Sequence, residues 1–121
     1  MAKTILVIEH NKLHLKLFND ILQANSFNTV LTSDERKAIE LAKAHYPDLI
    51  IMGIRMPSLS DLDTTKLIKS EDDLKEIPII AVTALTMKDD ERNICDSGCD
   101  AYIKKPISVV PFIKTIQDFL R

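Results

Sequence analysis

Polar side chains follow four short apolar runs of this sequence, and they include the groups that most often bind charged ligands or move protons. The segments concerned are Glu9-His10-Asn11, Gly53-Ile54-Arg55-Met56-Pro57, Thr83-Ala84 and Lys104-Lys105-Pro106. They supply a carboxylate, an imidazole, a hydroxyl group and ammonium groups, which are the components of many polar sites. Any one of them alone could be an ordinary solvated loop residue. Their value as a site depends on whether the fold brings the four segments together.

The composition removes several function classes. Only two of the 121 residues are glycine, Gly53 and Gly98, so the glycine-rich loops that cradle nucleotide phosphates are absent. The formal net charge is −2 and aromatic residues make up 5% of the chain, which argues against the basic surfaces and stacking platforms of nucleic-acid binding. A hydrophobic fraction of 45% is ordinary for a globular protein. We expect one domain over residues 1–121 and no nucleic-acid partner.

Neither a secretion signal nor a membrane segment is predicted. The first apolar run, Ile5–Ile8, ends in a carboxylate, and no stretch approaches the ~20 apolar residues of a membrane span. The two cysteines, Cys95 and Cys99, fit a reducing compartment, and no cysteine or histidine pair has zinc-finger spacing. We therefore expect a cytoplasmic protein that does not bind membranes. Its cysteines are interpreted as small apolar side chains, with a local redox pair as the less favoured alternative.

The apolar pattern alternates between strand-like runs and helical spacing. The runs Ile5–Ile8, Leu49–Met52 and Ile79–Val82 are typical of parallel strands buried on both faces, and Ala101–Ile103 is a shorter apolar run. The mixed run Phe27–Thr32 suits an edge strand. Helical stripes fill the intervals; they include Leu13, Leu17, Phe18, Ile21 and Leu22, then Ala38–Ala42, then Leu62, Leu67 and Ile68, a polar stretch over Lys88–Cys95, and Val109–Leu120.

This alternation predicts an α/β fold, a doubly wound five-stranded parallel sheet in the order 2-1-3-4-5. Sites in such folds lie beyond the carboxyl ends of the strands. The polar segments that follow the apolar runs are therefore predicted to converge there.

The whole chain resembles the receiver domain of two-component response regulators, which has a CheY-like, flavodoxin-like (βα)5 fold. The resemblance is carried by the acidic Glu9 after the first strand and by the pairs Met56-Pro57, Thr83-Ala84 and Lys105-Pro106 after the third, fourth and fifth strands. Each motif alone is weak, but the four together are specific. Within the family, the segments Cys99–Ile103 and Lys105–Val110 are similar to single-domain cell-cycle regulators.

The resemblance implies a phosphorelay function. In a working receiver domain, a phosphohistidine donor passes its phosphoryl group to an aspartate at the end of the third strand, with Mg²⁺ held by carboxylates of an acidic pair. By resemblance, Thr83 and Lys105 contact the phosphoryl oxygens and Tyr102 is the aromatic switch residue. The implied partners are a sensor histidine kinase or phosphatase, or other signalling proteins. The resemblance implies a signalling protein and not an enzyme.

The sequence departs from the family at the phosphorylation site. Gly53 stands at the acceptor position and has no side chain to phosphorylate, and His10 replaces the second carboxylate of the acidic pair. Glu9, His10 and Arg55 are then interpreted as remnants of an acidic metal pocket, in which Glu9 forms a structural ion pair with Lys105. Because imidazole is a poor Mg²⁺ ligand, we expect no cofactor and no bound metal, or weak Mg²⁺ binding through Glu9 at best. A transition metal held by Glu9 and His10 would have only two ligands.

Three interpretations of this departure stay open. The first is a degenerate receiver domain that acts by protein contact without aspartyl phosphorylation. The second is a phosphotransfer receiver with a non-standard acceptor, such as Ser58 or Ser60. The third is an engineered variant of a normal regulator. A small α/β enzyme is disfavoured because the sequence offers no nucleophile–base pair.

Protein contact is the function that remains if the acceptor is lost. We expect the contact on the face formed by the polar stretch 88–95, the last strand and the last helix, where the candidate residues are Lys88, Glu91, Tyr102, Lys104, Val109 and Val110. Two apolar residues beside a charged rim suit a docking patch. A polar row of this kind also occurs on ordinary solvated faces. We expect a monomer or a weak dimer.

Overall fold

Strands and helices alternate along the chain in the computed structural model. The structure describes residues 2–54, 59–84, 92, 94 and 96–120. For residues 59–61 it describes the backbone alone. The elements are β1 (Thr4–Ile8), α1 (Lys12–Ala24), β2 (Asn28–Thr32), α2 (Ala38–His45) preceded by a 3₁₀ turn (Glu35–Lys37), β3 (Leu49–Ile54), α3 (Leu59–Ser70), β4 (Ile79–Thr83), β5 (Ala101–Lys104) and α4 (Val109–Phe119). In the described part of the chain, no helix combines the length and the apolar character needed to cross a bilayer.

The five strands form one parallel sheet in the order β2-β1-β3-β4-β5, which confirms the predicted topology. Strands β3 and β4 are buried along their whole length and β1 is buried from Ile5 onward, as expected for a sheet covered on both faces. Strand β2 lies at one edge and is only partly buried, which confirms the interpretation of its mixed sequence. In this register, Ile8 of β1 lies opposite Met52 of β3, and Thr83 of β4 lies opposite Ile54 and Lys104.

Alternate residues of each central strand pack into two separate hydrophobic clusters, one on each face of the sheet. Ile5 and Val7 belong to the cluster under α1 and α4, where the rings of Phe18 and Phe112 stack with centroids 5.7 Å apart. The other cluster collects the intervening residues and packs against α2 and α3; its strand members include Leu6, Ile8, Ile50, Met52, Ile54, Ile79 and Ala81. The two clusters fix both faces of the sheet and therefore the position of every strand end.

Two parts of the predicted helical stripes are wrong. In α1, Phe18, Ile21 and Leu22 are buried, but Leu13 and Leu17 are 79% and 46% exposed. At about 100° per residue, Leu17 lies about 90° and Leu13 about 130° from the centre of the stripe formed by the three buried residues, so the sheet does not reach them. In α3, Leu62 and Ile68 are buried while Leu67 is 55% exposed, because it points away from the sheet.

The predicted helix over 88–95 falls mostly outside the described residues. Arg92, Ile94 and Asp96 have helical backbone, and Ile94 is fully buried against the α2–α3 side of the sheet. Gly98 follows with φ = 104°, a conformation that side chains rarely adopt. Its position confirms Gly98 as the stop signal before β5.

The buried pair Phe18 and Phe112 provides a test of how much the packing between α1 and α4 stabilises the fold. We expect Phe112→Ala to lower the free energy of unfolding by about 3–5 kcal/mol, because the ring is fully buried and its removal leaves a cavity. Phe119→Ala on the same helix is the matched control, with an expected loss below about 1 kcal/mol because this ring is 37% exposed. Urea unfolding followed by circular dichroism measures both. Equal losses would contradict the packing described here.

Candidate functional site

Glu9 and Gly53 lie side by side at the carboxyl end of the sheet. Glu9 directly follows Ile8, whose register partner in β3 is Met52, so Glu9 falls next to the residue after Met52. Gly53 itself pairs with Val82 inside the β3–β4 ladder. Strand β3 therefore continues past the apolar run from which it was predicted, and the acceptor position lies within the strand instead of after it.

The carboxylate of Glu9 is fully buried and forms the predicted ion pair with Lys105. Lys105 Nζ lies 3.2 Å from Oε1 and 3.3 Å from Oε2 of Glu9, and its side chain is only 16% exposed. The ammonium group also lies 5.9 Å from the centroid of the Phe18 ring. A carboxylate taken out of water needs a close opposite charge, and Lys105 provides it.

The start of α1 adds two histidines to this ion pair. Asn11 caps the helix by accepting hydrogen bonds from the backbone N–H groups of Leu13 and His14, and its own N–H donates to Glu9 Oε1 at 3.3 Å. His10 Nδ1 lies 3.4 Å from Glu9 Oε1, with the ring 40% exposed. His14 Nδ1 lies 3.0 Å from Lys105 Nζ, so the two nitrogens can share a hydrogen bond.

Sequence reasoning did not identify His14 as a site residue. A usable signal was present, because Asn11 is a good N-cap residue and His14 stands three positions later, in the first turn of the helix. A first-turn side chain next to a strand end is well placed to face the site. The rule that sites follow strand ends points only to the residues directly after each strand, and His14 lies one helical turn further along the chain.

No side-chain hydrogen bond joins Thr83 to the ion pair among the described residues, and Tyr102 lies in β5 opposite Ala81. Thr83 is fully buried, and its hydroxyl oxygen has no hydrogen-bond partner among the described residues. Its carbonyl accepts the backbone N–H of Lys105 at 2.8 Å, which links the two residues through the main chain. Tyr102 is partly buried and packs against the α2–α3 cluster. The roles assigned to these side chains by resemblance stay predictions.

A cleft of about 350 Å³ opens beside Gly53. It is lined by Ile8, His10, Ser33, Asp34, Glu35, Arg36 and Gly53. Hydrogen bonds from the side chain and backbone of Arg36 lower the pKa of the partly exposed Asp34 carboxyl group, which is thereby kept ionised. The cleft is open and polar, and Gly53 contributes only backbone atoms to its wall.

The residues present do not fit the Mg²⁺ ion that the family resemblance implies. A hard cation of this kind takes several oxygen ligands, usually including carboxylates. Of the three expected carboxylate positions, residue 53 has no side chain, residue 10 is an imidazole, and Glu9 is already paired with Lys105. Among the described residues, no group of three or more histidine, cysteine, aspartate or glutamate side chains is arranged to hold a metal ion.

The predicted partner face is only partly described. Arg55 of the remnant pocket, and Lys88 and Glu91 of the partner face, lie outside the described residues. Lys104 is exposed, and Val109 and Val110 are 51% and 77% exposed. The two valines line a shallow groove of about 300 Å³ together with Asn25, Ile113, Lys114 and Gln117, so they open toward the end of α1.

The cysteine interpretation is tested at one position only. Cys99 is partly buried, with its Sγ 3.6 Å from the hydroxyl oxygen of Ser97, and burial raises the pKa of its thiol. A raised pKa favours the protonated thiol, which is the unreactive form. Cys95 lies outside the described residues, so a pairing between the two stays a prediction.

A comparison with protein families matches residues 5–117 to the response regulator receiver domain. The chain is 47% identical over 120 residues to the polar-differentiation response regulator DivK of Brucella ovis, covering 99% of this chain and 98% of the relative. It is 48% identical to DivK of Brucella anthropi, with the same coverage. The similarity to receiver domains read from the sequence motifs is confirmed.

Solved structures of receiver domains share the fold. The receiver domain of the Pseudomonas aeruginosa sensor histidine kinase PA1611, solved with a magnesium ion in its active-site cleft, aligns with a TM-score of 0.89 at 25% identity, covering 99% of this chain and 98% of that one. The chemotaxis protein CheY4 of Vibrio cholerae aligns with a TM-score of 0.89 at 20% identity, covering 98% and 99% of the two chains. The second likeness concerns the fold alone.

The ion pair generates a direct prediction. We expect Lys105→Met to lower the free energy of unfolding by about 3 kcal/mol, because it leaves the Glu9 carboxylate buried without its cation. Combining it with Glu9→Gln should recover most of this loss, since the double variant buries no unpaired charge. Lys104→Met, at the exposed neighbouring position, is the control and should change stability by less than about 0.5 kcal/mol. Urea titrations measure the unaltered protein, the two single variants of the pair, the double variant and the control, and a loss in the double variant equal to the sum of the two single losses would contradict the pairing.

Proposed function

The chain belongs to the response regulator receiver domain family, and we propose that this member signals by protein contact without phosphorylation of residue 53. The observation that carries the proposal is the state of the acceptor position. Gly53 offers no carboxylate, and the space over its Cα is taken by the carboxylate of Glu9. An acyl phosphate therefore has no oxygen to form on at this position, and a side chain that could carry one would collide with Glu9.

The lack of suitable Mg²⁺ ligands at this site supports the same proposal. Magnesium is coordinated in the cleft of the PA1611 receiver domain, and phosphoryl transfer depends on such an ion to neutralise developing charge. In this chain, the ammonium group of Lys105 neutralises Glu9 instead. Aspartyl phosphorylation thus lacks its acceptor and the carboxylates that would hold its metal.

The relatives support a place in two-component signalling. An identity of 47% to a polar-differentiation response regulator over nearly the whole chain favours partners of the same class, namely a sensor histidine kinase or phosphatase or another signalling protein in the cytoplasm. On this proposal the domain is a binding module and not an enzyme. Its signal is carried by the fraction of partner molecules that it binds, and no phosphoryl group is carried by the domain.

Exposure to a small phosphodonor tests the loss of phosphorylation. We expect the protein incubated with acetyl phosphate and Mg²⁺ to show no mass increase of one phosphoryl group by intact mass spectrometry. Gly53→Asp alone should also stay unmodified, because the new side chain meets Glu9 and position 10 still lacks a carboxylate. An intact receiver domain is the positive control. A phosphoryl adduct on the unaltered chain would contradict the proposal and indicate a different acceptor.

Two substitutions test the partner face. We expect Val110→Asp to weaken binding to histidine kinases of the same organism at least about tenfold without changing the melting temperature, because the side chain is 77% exposed. Tyr102→Ala should weaken binding and lower the melting temperature, since Tyr102 also packs against the core. Leu67→Asp, at a 55% exposed position of α3, is the matched control.

Biolayer interferometry with purified kinases and thermal melts measure these effects. Unchanged affinity in Val110→Asp and Tyr102→Ala would place the contact elsewhere. Weakened binding in Leu13→Asp, an exposed position of α1, would then identify that helix as the partner surface.

A further inference from the structure

The geometry points to Glu9 as an internal replacement for the side chain that residue 53 lacks. Its carboxylate fills the acceptor position and holds Lys105, so the site is closed by a contact within the chain itself. The closure of the site by Glu9 deepens the proposed function and rests on it, because an acceptor position filled from within the chain explains why residue 53 is not phosphorylated. It holds or fails without reference to any partner.

The first support is steric. Parallel pairing sets residue 9 next to residue 53, and the two methylene groups of glutamate carry its carboxylate over the glycine. A Cβ added to Gly53 would collide with Oε2 of Glu9 and lie 2.8 Å from its Cδ. The carbonyl oxygen of Ile8 would be the next neighbour, at 3.2 Å. The position taken by Glu9 therefore requires the absence of a side chain at residue 53.

The second support is electrostatic. Both oxygens of the Glu9 carboxylate accept hydrogen bonds from Lys105, and Oε1 also accepts the N–H of Asn11. The carboxylate is fully buried, so it cannot exchange these contacts for water. An incoming cation would have to displace the ammonium group, and an incoming phosphoryl group would have to displace the carboxylate. Lys105 thus keeps a cation from binding Glu9, and Glu9 keeps a phosphoryl group from binding Lys105.

The alternative explanation is that Glu9 and Gly53 are unrelated remnants of a lost site. In that case the side chain of Glu9 would move aside at little cost when residue 53 gains a methyl group. The two explanations differ in whether the effect of a substitution at residue 53 depends on the length of the side chain at residue 9.

The test introduces Gly53→Ala into three backgrounds: the unaltered chain, Glu9→Gln and Glu9→Asp. Glutamine keeps the shape of Glu9 without its charge, whereas aspartate keeps the charge and is one methylene group shorter. We expect Gly53→Ala to lower the melting temperature by several degrees in the first two backgrounds, because the methyl group meets the side chain of residue 9. In the Glu9→Asp background the decrease should be less than half as large. Equal decreases in all three backgrounds, or no decrease in the unaltered chain, would overturn the inference.

A second measurement needs no substitution at residue 53. Mass spectrometry after limited amidination compares Lys105 with its exposed neighbour Lys104 in one protein. Because the Lys105 ammonium is held by a buried carboxylate, it should react at least about tenfold more slowly than Lys104. Glu9→Gln should remove most of this difference, whereas Asp20→Asn, which removes an exposed carboxylate paired with Lys16 in α1, should leave it unchanged. Equal rates for the two lysines in the unaltered protein would show that Glu9 does not hold Lys105.

Discussion

The arrangement of this site depends on one buried carboxylate. Glu9 is out of contact with water, so the fold must supply an opposite charge, and Lys105 is the residue that does so. The ammonium group in turn fixes the turn after β5, and the carboxylate is placed by the adjacent glycine in β3. Glu9, Gly53 and Lys105 are consequently one unit, in which each residue sets the conditions for the other two.

The parallel sheet makes this unit possible. Because all five strands run the same way, residues that are far apart in sequence meet at one edge, and Glu9 and Lys105 come together across 96 positions. The order of the strands and this convergence could both be predicted from the sequence, since continuous β-branched runs separated by helical stripes admit few other folds. The Glu9–Lys105 ion pair was predictable for the same reason, because strand ends bring charged residues to one place.

Other features of the site depend on distances that a sequence pattern does not contain. That the Glu9 side chain would cover Gly53 depends on the register of β1 with β3 and on the reach of a single rotamer. The contact between His14 and Lys105 depends on where the first turn of α1 faces, which the Asn11 cap determines. The exposure of Leu13 and Leu17 has a similar origin, because hydrophobic spacing locates an apolar stripe but not the limit of the surface that covers it.

A closed site changes how such a domain can respond to a signal. A ligand shifts a conformational equilibrium only through its different affinity for the two states. In a receiver domain that is phosphorylated, the phosphoryl group supplies this difference by its contacts with the lysine and hydroxyl side chains.

Here the ammonium group of Lys105 is already paired with Glu9, so a conformational change cannot draw its free energy from that pair while it stays intact. On the proposed function, a switch in this domain draws its free energy from the partner, through contacts that differ between the bound and free states. Thr83 is buried with a hydroxyl group that has no partner among the described residues, and on the proposed function it has no phosphoryl oxygen to contact. Its contribution is to the backbone that carries Lys105, whose N–H its carbonyl accepts.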